Sequence, residues 1–244
     1  IHQVNHKNHD IFTIVQISEP CLFERKSKKV KKLSVVIPAY NEERNLKKGV
    51  LDEVENYLEK KKLDYELIIV DDGSSDSTKE IVKKYLLKNP NFRLIENSHG
   101  GKAMAVMTGM EEAVGEIVLF TDMDQATPIN QWDKFSPKFN PPAGGGYDIA
   151  IGSRHGRKGA PLVRKLAAWG FSLLRGIILG LPYEDTQCGF KAFSKKAIEK
   201  IVPKIKHEWG VLHTKGGAVN AGCDVELLYL AKKYGFKIAA VEVE

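Results

Sequence analysis

The sequence predicts an α/β protein built on a mostly parallel sheet with helices on both faces. Short apolar runs, LSVVIPAY (33–40), ELIIVDDG (66–73), FRLIE (92–96), EIVLFTDMD (116–124) and YDIAIGSR (147–154), are continuous rather than alternating. Strands buried on both faces read this way. The segments between them carry apolar residues at helical spacing, and strand–helix units repeated at this length call for crossover connections. The chain has 244 residues, 43% of them hydrophobic, enough to bury a full core in one domain.

Each element has its own local reason. LSVVIPAY is a buried strand ending in Pro38, and a helix is expected over 42–61 with Leu46, Val50, Val54, Tyr57 and Leu58 on one stripe. ELIIVDDG is a second strand. Asp76 or Ser77 can cap the following helix, which carries Ile81, Val82, Tyr85 and Leu86. After FRLIE, Gly100-Gly101 opens a helix over 102–113. EIVLFTDMD and YDIAIGSR are the fourth and fifth strands, PPAGGGY (141–147) is an internal loop, and the chain stops at VEVE on a final strand.

Composition excludes several classes. The net charge is +6, but RKSKKVKK (25–32) alone supplies six positive charges, so the rest of the chain is neutral. A basic face for nucleic acid is therefore not expected. Cys21, Cys188 and Cys223 contain no CxxC pair and form neither a disulfide framework nor a zinc site, which suits a reducing compartment. No apolar run reaches the ~18–20 uncharged residues of a spanning helix; LAAWGFSLLRGIILGLP (166–182) comes nearest and is interrupted by Arg175. No secretory signal is read at the start.

Residues 1–32 read as an appendage to a domain of 33–244. His2, His6 and His9 lack an acid or Cys to complete a ligand set and are expected to be solvated. The basic cluster is either a solvated linker or a patch for anionic lipid, where each Lys or Arg could add ~1 kcal/mol.

The chemistry gathers at strand ends, where open parallel sheets bind ligands. PAYNEE (38–43), DDGSSDST (71–78) and DMDQATP (122–128) each follow a strand. Carboxylates gathered in one crevice repel unless a cation joins them. Hard oxygen ligands favour Mg²⁺ or Mn²⁺, with metal positions left open for phosphate oxygens.

VVIPAYNEE, IIVDDGSSDST, GGKAMAVMTGM, FTDMD, GSR and DTQCGFKAF stand in the order found in family 2 glycosyltransferases of the GT-A fold, which this sequence resembles from about Leu33 to Glu244. Within that family it is most similar to the polyprenyl-phosphate sugar synthases, and DTQCGFK is closer to the glucosyl (dolichyl-phosphate glucose) than to the mannosyl branch. The resemblance implies that Pro38, Ala39, Tyr40 and Glu42 hold the nucleotide base and ribose and that Asp72 meets the base edge. Lys102, at a helix start that favours anions, would serve the donor, although Ala103 stands where the family usually has glycine. Asp122 and Asp124 would surround the metal and the diphosphate, Asp124 as the ligand and Asp122 reaching the sugar or ribose, with Gln125 a candidate further ligand. Arg154, Arg164 and Lys191 would clamp an acceptor phosphate. Asp185 would orient the sugar or the metal site, and Glu226 is either functional or structural.

The reaction so implied is inverting, metal-dependent transfer of a hexose, glucose from UDP-glucose, to a polyprenyl or dolichyl phosphate at the cytoplasmic face of a membrane. An acceptor phosphate is already anionic at pH 7 and needs no general base. Leu166, Trp169, Leu173, Ile177 and Leu181 recur at helical spacing beside Arg164, Lys165 and Arg175, so 163–180 is expected to be an amphipathic helix lying in the interface, or else packed on the sheet. The alternatives are a family 2 enzyme acting on a saccharide hydroxyl, with Asp185 or Asp224 as base, and a non-catalytic nucleotide-sugar-binding module.

Overall fold

A computed structural model of the chain describes residues 33–140, 145–154, 183, 185–213 and 223–244. The basic tail, Arg164 and the helix expected over 163–180 lie outside the described residues.

The strands are β1 (Leu33–Ala39), β2 (Tyr65–Asp71), β3 (Phe92–Glu96), β4 (Ile117–Phe120), β5 (Ile149–Arg154), β6 (Lys191–Ser194) and β7 (Ile238–Val243). They form one sheet in the order β3-β2-β1-β4-β6-β5-β7. Every pairing is parallel except those of β6, which runs antiparallel to β4 and β5. The helices are α1 (Glu43–Lys47), α2 (Val50–Lys60), α3 (Thr78–Lys88), α4 (Lys102–Glu112), α5 (Trp132–Phe139), α6 (Lys195–His213) and α7 (Cys223–Lys233), with a short 3₁₀ turn at Ile129–Gln131.

Alternation within the strands divides the core into two layers. Val35 and Ile37 join Leu51, Val54, Leu58 and Phe135 on one face. Val36 joins Val106, Met107, Ile201 and Trp209 on the other. Each fully buried aliphatic contributes about 1.5–3 kcal/mol relative to exposure. Two glycines shape the helices. The helix expected over 42–61 is two helices, because Gly49 takes φ 83 and turns the chain between α1 and α2. Gly109 lets α4 lie close on the sheet: a Cβ there would sit 2.4 Å from Val36 Cγ1 and 2.9 Å from Val70 Cγ2.

Beneath the sheet, Glu66 Oε1 accepts from Ser34 Oγ (2.6 Å) and the Val114 N–H (2.7 Å), while Arg93 Nη1 lies 2.9 Å from Oε2. This network ties β1, β2 and β3 to the turn that delivers β4. The fourth strand is shorter than its sequence suggests, so the two aspartates of DMD lie in the turn beyond Phe120.

Candidate functional site

PAYNEE and DDGSSDST are two halves of one structure. The Asn41 N–H donates to Ser74 Oγ (2.9 Å), the Ser75 N–H to Asn41 Oδ1 (2.9 Å), the Glu42 N–H to Thr78 Oγ1 (2.8 Å) and the Glu43 N–H to Asp76 Oδ2 (3.1 Å). Asn41 adopts φ 55, a left-handed turn that Asn tolerates better than most residues. Asp76 also accepts the Thr78 N–H at 3.0 Å, so it caps α3, while Ser77 makes no capping bond. Glu42 Oε2 accepts from Asn45 Nδ2 at 2.7 Å.

Asp72 is buried, and its carboxylate organises the next loop. Oδ1 accepts the Gly100 N–H (2.9 Å) and Oδ2 the Gly101 N–H (2.8 Å), with His99 Nδ1 2.9 Å from Oδ2. Both oxygens expected at a base edge are thus engaged in fixing the HGG turn before α4. That turn places the His99 ring against Tyr40, with centroids 4.5 Å apart and planes 29° apart. His99 is a site residue that the sequence reading missed, since a single exposed His outside the quoted motifs carries no signal of its own.

These loops enclose a cleft of about 380 Å³ at the carboxyl ends of β1, β2 and β4. Pro38, Ala39, Tyr40, Glu42, Asp72, Lys102, Asp122 and Asp124 all line it, joined by His99, Gly101, Ala105 and Met123. Lys102 Nζ lies 2.6 Å from Asp122 Oδ1 and 5.7 Å from the centre of the Phe120 ring. Gly189 backs onto the same carboxylate: a Cβ there would come within 2.0 Å of Asp122 Oδ2. Asp124 is exposed, and its Oδ1 accepts the Ala126 N–H at 3.0 Å. Gln125 takes φ 49 and donates through Nε2 to the Asp122 carbonyl (2.8 Å), bracing the turn; it is not among the cleft-lining residues.

No group of three or more His, Cys, Asp or Glu side chains suited to a metal occurs among the described residues. Of the four carboxylates lining the cleft, Asp72 is taken up by the HGG turn and Glu42 by Asn45, and the turn after β4 offers two more, Asp122 and Asp124. That set fits Mg²⁺ or Mn²⁺ held by one or two carboxylates together with substrate phosphate oxygens.

The remaining expected residues form two ion pairs. Arg154 Nε donates to Asp185 Oδ2 at 2.7 Å, and the Gln187 N–H donates to Asp185 Oδ1 at 3.0 Å. Burial would raise the Asp185 carboxyl, but the hydrogen bond and charge of Arg154 outweigh it and hold it below its ordinary value. Arg154 is correspondingly raised, first by the Asp185 hydrogen bond and in part by the charge of Asp122. Lys191 departs from expectation: it is fully buried, its Nζ donating to the Cys188 carbonyl and to Asp224 Oδ1 (2.6 Å). A phosphate at the surface would not reach it. Glu226 accepts from Trp209 Nε1 at 2.8 Å, linking α7 to α6, which is a structural role. Burial pushes the Cys223 thiol up, which disfavours the thiolate.

Residues 34–202 match the family described as Glycosyl transferase family 2. A dolichyl-phosphate beta-glucosyltransferase from Dictyostelium discoideum is 34% identical over 225 residues, covering 86% of this chain and 65% of that protein. One from Homo sapiens is 35% identical over 230 residues, covering 87% of this chain and 67% of that protein. This chain spans slightly less than two thirds of the length of the first of these relatives. Among solved structures, glucosyl-3-phosphoglycerate synthase from Mycobacterium tuberculosis in complex with uridine-diphosphate superposes with a TM-score of 0.59 at 24% identity, covering 87% of this chain and 70% of that one.

Proposed function

This chain belongs to glycosyl transferase family 2 and has the GT-A fold, and from that membership we propose that it transfers glucose from UDP-glucose to a dolichyl or other polyprenyl phosphate with inversion. The observation that carries this reading is the convergence of Pro38–Glu42, Asp72, Lys102, Asp122 and Asp124 on one cleft. The names of the curated relatives supply the acceptor class.

Tyr40 and His99 present aromatic faces to the base, and Glu42 offers a carboxylate to ribose hydroxyls. Lys102, at the start of α4, brings a cation to the diphosphate. Asp122 and Asp124 would hold Mg²⁺ or Mn²⁺, whose charge offsets that of the leaving diphosphate when bound. An oxygen of the acceptor phosphate attacks the anomeric carbon as the bond to UDP breaks, so an α-linked donor yields a β-linked lipid phosphate sugar. Catalysis rests on positioning and charge complementarity, with Arg154 assigned to the acceptor phosphate. Asp185 orients Arg154. Arg164 is assigned to the same phosphate.

The hydroxyl-acceptor alternative needs a carboxylate free to take a proton. Asp185 and Asp224 are each tied to a cation, which favours an acceptor that arrives already ionised. No helix among the described residues is long and apolar enough to cross a membrane. We assign the membrane contact to 163–180 and to the basic cluster 25–32, on the cytoplasmic face, with 33–244 as the transferase domain.

Incubation with labelled UDP-glucose and dolichyl phosphate should give a labelled lipid product that chelator suppresses and Mn²⁺ or Mg²⁺ restores. Transfer to a saccharide hydroxyl instead, or full activity in excess chelator, would overturn the acceptor or the metal assignment respectively.

A further inference from the structure

Beside the donor cleft lies a second, smaller cavity of about 100 Å³, and Lys102 lines both. Its wall is Phe120, Val106 and Leu227 on the apolar side and Gln187, Gly189 and Asp224 on the polar side. Gly189 is the residue packed against Asp122, so this cavity adjoins the donor-facing carboxylate directly.

Resting on the proposed hexosyl transfer, we propose that Asp224 accepts a hydrogen bond from a hydroxyl of the transferred hexose, and that Lys191 is the positioning residue that aims it. A buried ammonium is costly without a partner. The Lys191 group, fully buried, uses the Cys188 carbonyl and Asp224 Oδ1, and lies 5.8 Å from the centre of the Phe120 ring. Lys191 is the first residue of β6 and Asp224 the second of α7, so the pair pins the start of a helix to the middle of the sheet. Asp224 is still 38% exposed, with room for a second partner on the cavity side.

The chemistry of the cavity selects the ligand. A nucleotide is too large for about 100 Å³, and the cation on the cavity wall, Lys102, is already paired with Asp122. Lys191 already neutralises the Asp224 carboxylate, so a second cation gains little there. One edge of a neutral polyol suits it: a hydroxyl meets Asp224 and Gln187, and the adjoining C–H groups meet Val106, Phe120 and Leu227.

The test compares UDP-glucose with its four monodeoxy analogues (2-, 3-, 4- and 6-deoxy) in the wild type, Asp224→Asn, Lys191→Met and Lys191→Arg. A site built to bond a hydroxyl rejects the analogue lacking it. One analogue should therefore lose about 10–100-fold in kcat/KM in the wild type. That penalty should shrink to within about 3-fold in Asp224→Asn and Lys191→Met, and return in part in Lys191→Arg, while affinity for UDP alone stays within about 3-fold throughout. An undiminished penalty in Asp224→Asn overturns the assignment. Loss of UDP affinity along with the penalty also overturns it, by making the pair merely structural. A wild type that moves no hexose to polyprenyl phosphate would instead defeat the proposed function, a result visible before any variant is compared.

Discussion

The Asp122 carboxylate stands between Lys102 and Gly189 and faces the open cleft, and this corner makes measurable demands. Asp124 contributes charge to the same corner from an exposed position, so Asp124→Asn should lower kcat by at least about 100-fold with the thermal midpoint unchanged. Equal kcat in the two proteins would remove Asp124 from the site. Gly189→Ala puts a methyl where a carboxylate oxygen already stands, only 2.0 Å away. Overpacking of this kind costs about 1–3 kcal/mol, and here it also displaces Asp122, so calorimetry should show a lower midpoint and kinetics a lower kcat. The Arg154–Asp185 pair predicts a pH dependence. Asp185 is depressed in the folded protein, so its contribution is complete above its ordinary value of 3.8 and fades as pH falls through the lower folded value. Asp185→Asn should therefore be less stable than the wild type at pH 5–8 in thermal melts, the gap closing toward pH 3. A constant gap across that range would show that the pair's charge is not what stabilises. At this scale sequence was informative about which residues gather and poor about which are buried. Lys191 reads like any other lysine in CGFK, and only the three-dimensional position of Asp224 reveals that its charge is spent internally.

α4 connects the packing to the site, because Lys102 opens it and Gly109 seats it. Gly inside a helix costs up to about 1 kcal/mol relative to Ala, a cost offset here by the approach to Val36 and Val70. Gly109→Ala should destabilise despite its better helix propensity and raise KM for the donor, since lifting α4 moves Lys102. A more stable variant with unchanged KM would show that the close approach is dispensable. The elements best legible in the sequence were those with strong local signals. FRLIE reads as a strand with the same limits the structure gives it, and the buried runs of β1 and β2 are unmistakable. The helix over 42–61 misreads because its apolar stripe continues through Gly49, and only the left-handed backbone there reveals the break. β6 went unread, since its four residues, KAFS, following a loop-like DTQCGF stretch, show no periodicity. α6 also went unread, although it carries a stripe of Ala197, Ile198, Ile201, Val202, Ile205 and Trp209, all buried.

The sheet as a whole has a seam. From β3 to β1 the strands come from consecutive strand–helix units, and pairing Leu33 with Tyr65 or Leu67 with Phe92 closes a loop of only about 30 residues. Beyond that trio, pairing Leu33 with Ile117, Ile117 with Ser194 or Ile149 with Ile238 spans more than twice that separation. Chain topology thus favours an order of assembly: the early contacts build β1, β2 and β3 with the Tyr40, Asp72 and His99 side of the cleft, and the late ones bring in β4 with Asp122 and β6 with Gly189 and Lys191. Pulse-labelled hydrogen exchange during refolding should protect the amides of Val35–Ile37 and Leu67–Ile69 before those of Ala192, Phe193 and Ala239. The reverse order would show that β6 nucleates folding. If the forward order holds, the Tyr40, Asp72 and His99 side of the cleft stands before Asp122 and Asp224 are in place, so on the proposed function holding the donor precedes any ability to discharge it.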